Sequence, residues 1–185
     1  MELAGVFALV AWLAVPGVVS AEEAVETVAF VDLQRYAGTW FEIGRLPNRF
    51  QKDCVGATAE YRPRADGAID VVNTCYREDG STRSIEGKAE SRDASSNAKL
   101  VVRFNGIWFK LFSWLIKADY WVIDLADDYS YAVVGAPNRD YLWILARERT
   151  MDETILNRLV ARAEAQGFDV ARLVWTAVPE SIGSQ

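Results

Sequence analysis

Apolar and polar residues alternate along the chain from Ala37 onward, in short runs separated by turn-forming residues at regular intervals. An alternation of period two places successive side chains on opposite faces of a β-strand, and several short runs at even spacing are typical of an all-β barrel or sandwich. The pattern therefore predicts an all-β fold of eight strands. These lie near residues 39–44, 57–62, 69–76, 84–90, 99–104, 120–125, 131–136 and 141–147.

The second and third runs form the clearest hairpin. Residues 65–67 make a three-residue loop that ends on a glycine, which can adopt the left-handed conformation of a bulge. Such a loop predicts a register in which Arg62 faces Asp70 and Ala57 faces Cys75.

One face of the second to fifth runs is small or apolar, and the opposite face is charged. We interpret the first face as the inside of the fold. Its small residues favour an open pocket, although its aromatic residues would fill part of that space. The inward candidates on these runs are Ala57, Ala59, Tyr61, Ile69, Val71, Asn73, Ile85, Gly87, Ala89, Leu100, Val102 and Phe104.

The stretches YWVIDL and YLWILA are apolar on both faces, so another element must cover them from outside. A helix is predicted directly after the second stretch, over about 151–166. It has a capping box from Thr150 to Glu153, an apolar stripe and a stop at Gly167. We expect this helix to pack on the wall of the strands, and a short final strand to follow within 172–178.

Residues 1–21 contain a long apolar run and end on small residues, which is the pattern of a secretory signal peptide. Glu2 stands where a positive charge is usual, so an uncleaved anchor is the alternative. No cysteine stands at the end of this segment for lipid attachment. We expect one domain over 22–185, with its strands within about 37–147, exported to the periplasm or the periphery of the outer membrane.

The chain has 185 residues, of which 51% are hydrophobic, and its formal net charge is −6. It contains no histidine, which excludes histidine-dependent catalysis and histidine metal sites. A nucleic-acid partner is not expected, because such proteins are usually basic. The sequence has no glycine-rich phosphate loop, and we predict no cofactor and no metal.

Cys54 and Cys75 are the two cysteines of the chain. An even count in an exported protein favours one disulfide, provided that the loop before the second strand folds back toward the third. Two free buried thiols are the alternative.

Three short motifs stand in order near the strand ends. They are Gly38-Thr39-Trp40, Asp127-Asp128-Tyr129 and Leu145-Ala146-Arg147. They resemble the three conserved blocks of the lipocalin family, and the resemblance runs from about Phe30 to Pro179. The phrases YLWILAR and GFDV are most similar to the bacterial lipocalin and apolipoprotein D branch.

The resemblance implies an eight-stranded antiparallel up-and-down barrel, closed at one end near Trp40, that binds lipids or other small hydrophobic molecules. It implies structural roles for Gly38, Trp40 and Arg147, with Arg147 across the Trp40 ring. It also implies that the following side chains face the inside of the barrel: Tyr120, Val122, Val134, Tyr141 and Trp143. With the inward face above, the predicted ligand-binding residues are Glu42, Ala57, Ala59, Tyr61, Val71, Asn73, Gly87, Ala89, Val102, Phe104, Tyr120, Val122, Val134, Tyr141 and Trp143.

Glu42 falls on the inward side of the first strand, counting by two from Trp40. A carboxylate there is costly unless it is hydrogen-bonded, so it is either a bonded structural residue or a polar handle for a ligand head group. Two alternatives to a lipid carrier remain. One is a lipid-modifying enzyme that uses Glu42 and Asp124, and the other is a structural envelope protein with a filled barrel.

Residues Ile107 to Lys117, IWFKLFSWLIK, form an apolar segment too short to cross a bilayer. Read as a helix, it places Trp108, Leu111, Phe112 and Leu115 on one face. The strand count puts this segment at the open end of the barrel, where it predicts contact with a membrane surface. A homodimer contact and a lid over the cavity are the alternatives.

Overall fold

The computed structural model describes residues 23–104 and 117–178. The predicted signal peptide and residues 107–116 of the apolar segment lie outside these ranges. The described strands are β1 (Gly38–Arg45), β2 (Gly56–Pro63), β3 (Ile69–Tyr76), β4 (Thr82–Ser91), β5 (Lys99–Phe104), β6 (Lys117–Leu125), β7 (Tyr131–Gly135), β8 (Leu142–Ala146) and β9 (Val174–Trp175). The helices are α1 (Leu33–Tyr36), α2 (Glu153–Ala165) and a 3₁₀ turn at Val170–Arg172.

The first eight strands form a closed antiparallel barrel. Each pairs with the next in sequence, and β1 closes the ring by pairing with both β2 and β8. The eight predicted strands are therefore confirmed. One boundary was wrong: the ladder between β5 and β6 extends to the pair Arg103 and Lys117, so Lys117 belongs to a strand and not to the apolar loop.

The hairpin of β2 and β3 has the predicted register. Arg62 pairs with Asp70 and Ala57 with Cys75. Gly67 has a φ of 81°, which is the left-handed conformation that the loop requires.

The predicted disulfide between Cys54 and Cys75 is present, with Cα atoms 5.3 Å apart. It joins the loop before β2 to the end of β3. On the chain-entropy view, closing a loop of this length stabilises the fold by about 3 kcal/mol.

Helix α1, which the sequence pattern did not predict, lies at the closed end of the barrel. Asp32 caps it by accepting the backbone N–H groups of Gln34 and Arg35. The helix carries Tyr36 into the core, where its carbonyl accepts the indole N–H of Trp40 at 2.8 Å.

Arg147 lies across the Trp40 ring as predicted, with its guanidinium carbon 3.9 Å from the ring centre. The same guanidinium donates to the carbonyls of Arg35, Ala37 and Thr39 at 2.9 Å each. It therefore ties the turn after α1 to the start of β1 and closes this end of the barrel.

Helix α2 covers the outside of the barrel where two strands are apolar on both faces, as predicted. Its predicted stripe packs against β6, β7 and β8 in a cluster outside the ring, and the members of this stripe are Ile155, Leu156, Leu159, Val160 and Ala163. The predicted capping box was wrong. Asp152 is the N-cap instead of Thr150, because its carboxylate accepts the N–H groups of Thr154 and Ile155 and its charge favours the helix start.

Strand β9 is shorter than the predicted run. Val174 and Trp175 pair with Arg45 and Gly44 on the outside of β1. A Cβ at Gly44 would lie 2.8 Å from the Trp175 ring, so only glycine allows this close approach.

Candidate functional site

The inside of the barrel is one contiguous apolar cluster, separate from the cluster beneath α2. Most of the predicted inward residues meet in it. Its buried members from that set are Ala59, Tyr61, Ile69, Val71, Ala89, Leu100, Val102, Val122 and Val134, and Phe104, Tyr120 and Trp143 pack against them while half-buried.

The other predicted ligand-binding residues lie around this cluster. Ala57 and Gly87 are buried, and Asn73 is half-buried. A Cβ at Gly87 would lie 3.0 Å from Phe104, so part of the space that this glycine leaves is occupied by an aromatic ring. Tyr141 stacks on Trp143 with ring centres 5.8 Å apart.

Glu42 is 3% exposed and both of its carboxylate oxygens are engaged. Oε1 accepts from Arg45 Nη1 at 3.0 Å, and Oε2 accepts from Gln51 Nε2 at 2.6 Å. Arg45 is itself 5% exposed and donates through Nη2 to the carbonyls of Gln51 and Cys54. The carboxylate is thus compensated by a charge and an amide, as a buried acid requires. The sequence pattern had identified Glu42 but neither of its partners.

Gln51 links this ion pair to the wall of the barrel. Its Oε1 accepts from the indole N–H of Trp143 at 2.9 Å and from Asn48 Nδ2 at 2.8 Å. The loop of residues 46–55, which we call the β1–β2 loop, is therefore bonded to β1 and β8.

The same loop is attached on its other side to β3 and β4. The disulfide joins Cys54 to Cys75, the N–H of Val55 donates to Tyr76 O at 2.9 Å, and Arg83 Nη2 donates to Phe50 O at 2.8 Å. The β1–β2 loop thus reaches from β8 to β4 at the end of the barrel opposite Trp40.

Three tyrosine hydroxyls meet at the closed end of the interior. Tyr120 OH lies 2.7 Å from Tyr36 OH and 2.8 Å from Tyr61 OH. Burial raises the pKa of all three phenols, so they are neutral at physiological pH. We call these residues the tyrosine triad. Alternation predicts that Tyr61 faces inward and the lipocalin resemblance implies the same for Tyr120, whereas nothing in the sequence pattern indicates Tyr36.

Asp124, the second carboxylate considered for catalysis, does not share a space with Glu42. A register shift in β6 between Val122 and Asp124 places this side chain beneath α2, where Oδ2 lies 2.7 Å from Arg162 Nη1. The acid and base of the enzyme alternative are therefore not brought together.

Residues 23–104 and 117–178 contain neither a membrane-spanning helix nor a cluster of metal ligands. No helix in these ranges has both the length and the apolar character needed to cross a membrane. Nor do they contain a group of three or more acidic or cysteine side chains arranged to hold a metal ion.

A closed antiparallel barrel with an apolar interior, one helix on its wall and an arginine over a buried tryptophan at its closed end defines the class of small ligand-binding β-barrels. The family model described as a lipocalin-like domain matches residues 31–178. This chain belongs to the lipocalin family.

Its relatives include bacterial lipocalins and apolipoprotein D, as the predicted branch implies. The chain is 38% identical over 158 residues to the outer membrane lipoprotein Blc of Escherichia coli, covering 85% of each chain. It is 34% identical over 154 residues to apolipoprotein D of Macaca fascicularis, covering 78% of this chain and 76% of that one. Insecticyanin from the tobacco hornworm Manduca sexta has the same fold, with a TM-score of 0.64 at 20% identity over 85% of this chain and 86% of its own.

Proposed function

We propose that this protein binds and carries small hydrophobic ligands, such as fatty acids or lysophospholipids, inside the barrel and without chemistry. The observation that carries the proposal is the interior cluster. Its half-buried aromatic members Phe104, Tyr120 and Trp143 keep accessible surface although they face the inside of a closed ring. Apolar walls with a few polar groups are typical of sites for such ligands.

The family also supports binding over catalysis. Relatives that share about a third of their residues carry names of lipoproteins and apolipoproteins. In the described residues, the carboxylate of Glu42 is held by Arg45 and Gln51, and Asp124 faces the outer helix. A general acid and base would need to lie within reach of one reacting group.

Blocking the interior tests the proposal. We expect Ala59→Trp and Ala89→Phe each to weaken binding of a fluorescent fatty acid by more than about tenfold, because each adds an aromatic ring to the buried cluster. Titration of the purified variants by fluorescence measures the effect. Ala161→Trp on the exposed face of α2 is the control and should bind as the wild type does. Unchanged affinity in both interior variants, with intact circular dichroism, would refute an interior site.

We further propose that the protein works in the cell envelope, in the periplasm or at the periphery of the outer membrane. The predicted signal peptide and the similarity to outer membrane lipoproteins support an exported protein. At the described part of the open end, Phe50 is 39% exposed and carries the Arg49 guanidinium 4.9 Å above its ring. An exposed aromatic residue beside a cation suits the head-group region of a membrane.

Membrane docking through Trp108, Leu111, Phe112 and Leu115 is the corresponding expectation for the apolar segment. The variant Trp108→Asp/Phe112→Asp/Leu115→Asp should lose most of its partition onto anionic vesicles, because three charges would replace apolar contacts with the acyl chains. Co-sedimentation with vesicles measures this, and neutral vesicles serve as the control. Equal partition of the two proteins would argue against docking. A change from dimer to monomer in the variant would instead favour a contact between two copies of the chain.

A further inference from the structure

The three hydroxyl groups of the tyrosine triad carry one more O–H hydrogen than the number of hydrogen bonds between them. Each neutral phenol carries a single O–H hydrogen, and the three oxygens make two contacts, from Tyr120 to Tyr36 and from Tyr120 to Tyr61. Two hydrogens occupy these contacts in any arrangement. The third has no acceptor among the described residues, because none of the three hydroxyls has another partner there. The surplus donor is therefore a consequence of counting and not of a chosen proton position.

All three tyrosines lie on the inside of the barrel. Tyr36 and Tyr61 are 1% and 3% exposed, whereas Tyr120, which pairs with Leu100 on the inward face, keeps accessible surface. The side chains around the triad belong to the apolar interior cluster. A buried O–H group without an acceptor is unfavourable, so an oxygen that enters the barrel and reaches this floor gains a hydrogen bond.

The side chains around the triad favour a neutral oxygen of the ligand over a charged one. The buried charged side chains of the described residues are Glu42, Arg45 and Asp124, and none of them bonds to the triad. The guanidinium of Arg147 contributes a positive charge near two of the three phenols, but it donates to backbone carbonyls and not to the triad. A carboxylate or phosphate here would therefore lose its hydration without forming a direct ion pair. A hydroxyl, carbonyl or ether oxygen would not carry that cost.

We propose that the tyrosine triad is a polar subsite at the floor of the barrel that binds a neutral oxygen at the inner end of an otherwise apolar ligand. The inference rests on the proposed binding function and adds to it the chemistry of the ligand's inner end. A ligand whose acyl chain ends in a neutral oxygen contacts the apolar wall along its length. Its terminal oxygen accepts a hydrogen bond from the triad. An anionic head group stays at the open end.

A series of fatty acids that differ at the carbon farthest from the carboxylate tests this subsite. For each chain length, binding of the acid with a terminal methyl is compared with that of the ω-hydroxy and ω-methoxy acids, by displacement of a fluorescent fatty acid. We expect the affinity of both oxygenated acids, relative to the methyl acid, to rise about tenfold at the chain length that reaches the triad. The methoxy group only accepts hydrogen bonds, so its rise identifies the floor as a donor without any substitution in the protein.

Variants in which phenylalanine replaces the triad tyrosines test whether a surplus O–H hydrogen binds the ligand. Tyr36→Phe/Tyr61→Phe/Tyr120→Phe has no hydroxyl and should lose the tenfold rise. Tyr61→Phe leaves two hydroxyls and one contact, so one hydrogen is still in surplus and the rise should persist. Tyr131→Phe removes a hydroxyl that bonds Arg158 on the outside and is the control.

The outcomes separate the subsite from the binding function. If no fatty acid binds the wild type, the proposed function and the subsite are both wrong. If fatty acids bind but oxygenation has the same effect at every chain length, or if the triple variant keeps the rise, the subsite alone is wrong. A rise for the hydroxy acids without one for the methoxy acids would also overturn it, since the floor would then accept and not donate. If the triple variant does not fold, the ω-methoxy acids test the subsite in the wild type. A rise in their affinity at one chain length supports it, and no rise overturns it.

Discussion

Replacing Glu42 with leucine should destabilise the protein by about 3–5 kcal/mol, because it leaves the guanidinium of Arg45 buried without its carboxylate. Arg45 is 5% exposed, and Glu42 is its one carboxylate partner among the described residues. The substitution also removes the acceptor of Gln51 Nε2, whose hydrogen bond to Glu42 is 2.6 Å long. Urea unfolding followed by circular dichroism measures the change in free energy.

Two variants accompany this measurement. Glu60→Leu makes the same substitution in an exposed pair with Arg62, where solvent screens the charges, and its effect should be much smaller. Glu42→Leu/Arg45→Met removes both charges and should recover most of the lost stability. If Glu42→Leu were as mild as Glu60→Leu, the ion pair would not stabilise the open end of the barrel.

Trp40→Ala should also cost about 3–5 kcal/mol, the range for truncating a large buried aromatic residue. The ring is fully buried, its N–H bonds the carbonyl of Tyr36, and Arg147 lies across its face. Removing it leaves a cavity at the closed end and takes away the surface on which the guanidinium rests. Thermal and urea unfolding measure the loss.

Trp175→Ala is the matched control for this second substitution, since its ring is 54% exposed and its removal uncovers little of the core. We expect its cost to be a minor fraction of that for Trp40. Similar costs for the two variants would contradict a structural role for the closed end.

The parts of the fold that the sequence predicted are those set by residues close together in the chain. The register of β2 and β3 follows from a three-residue turn and alternating side chains, and it brought Ala57 opposite Cys75 as expected. Strands with two apolar faces required a cover, and α2 supplies it. These features depend on local pattern and on the rule that apolar faces are buried.

The contacts that the sequence did not predict join residues whose meeting depends on how the barrel closes. Tyr36 and Tyr120 are 84 positions apart, and their hydroxyls meet only because α1 projects into the ring. Gln51 reaches Glu42 because the β1–β2 loop folds back over its own strand. Periodicity gives the side of a strand on which a residue lies, but not which residue from another strand or loop lies opposite it across the interior.

The attachments of the β1–β2 loop also bear on the route by which a ligand reaches the interior. Bonds from this loop to β8, β1, β3 and β4 hold it over one side of the open end. A ligand that enters the barrel as proposed would have to break these bonds in order to pass on this side of the open end. Entry on the opposite side would leave both the disulfide and the buried ion pair intact.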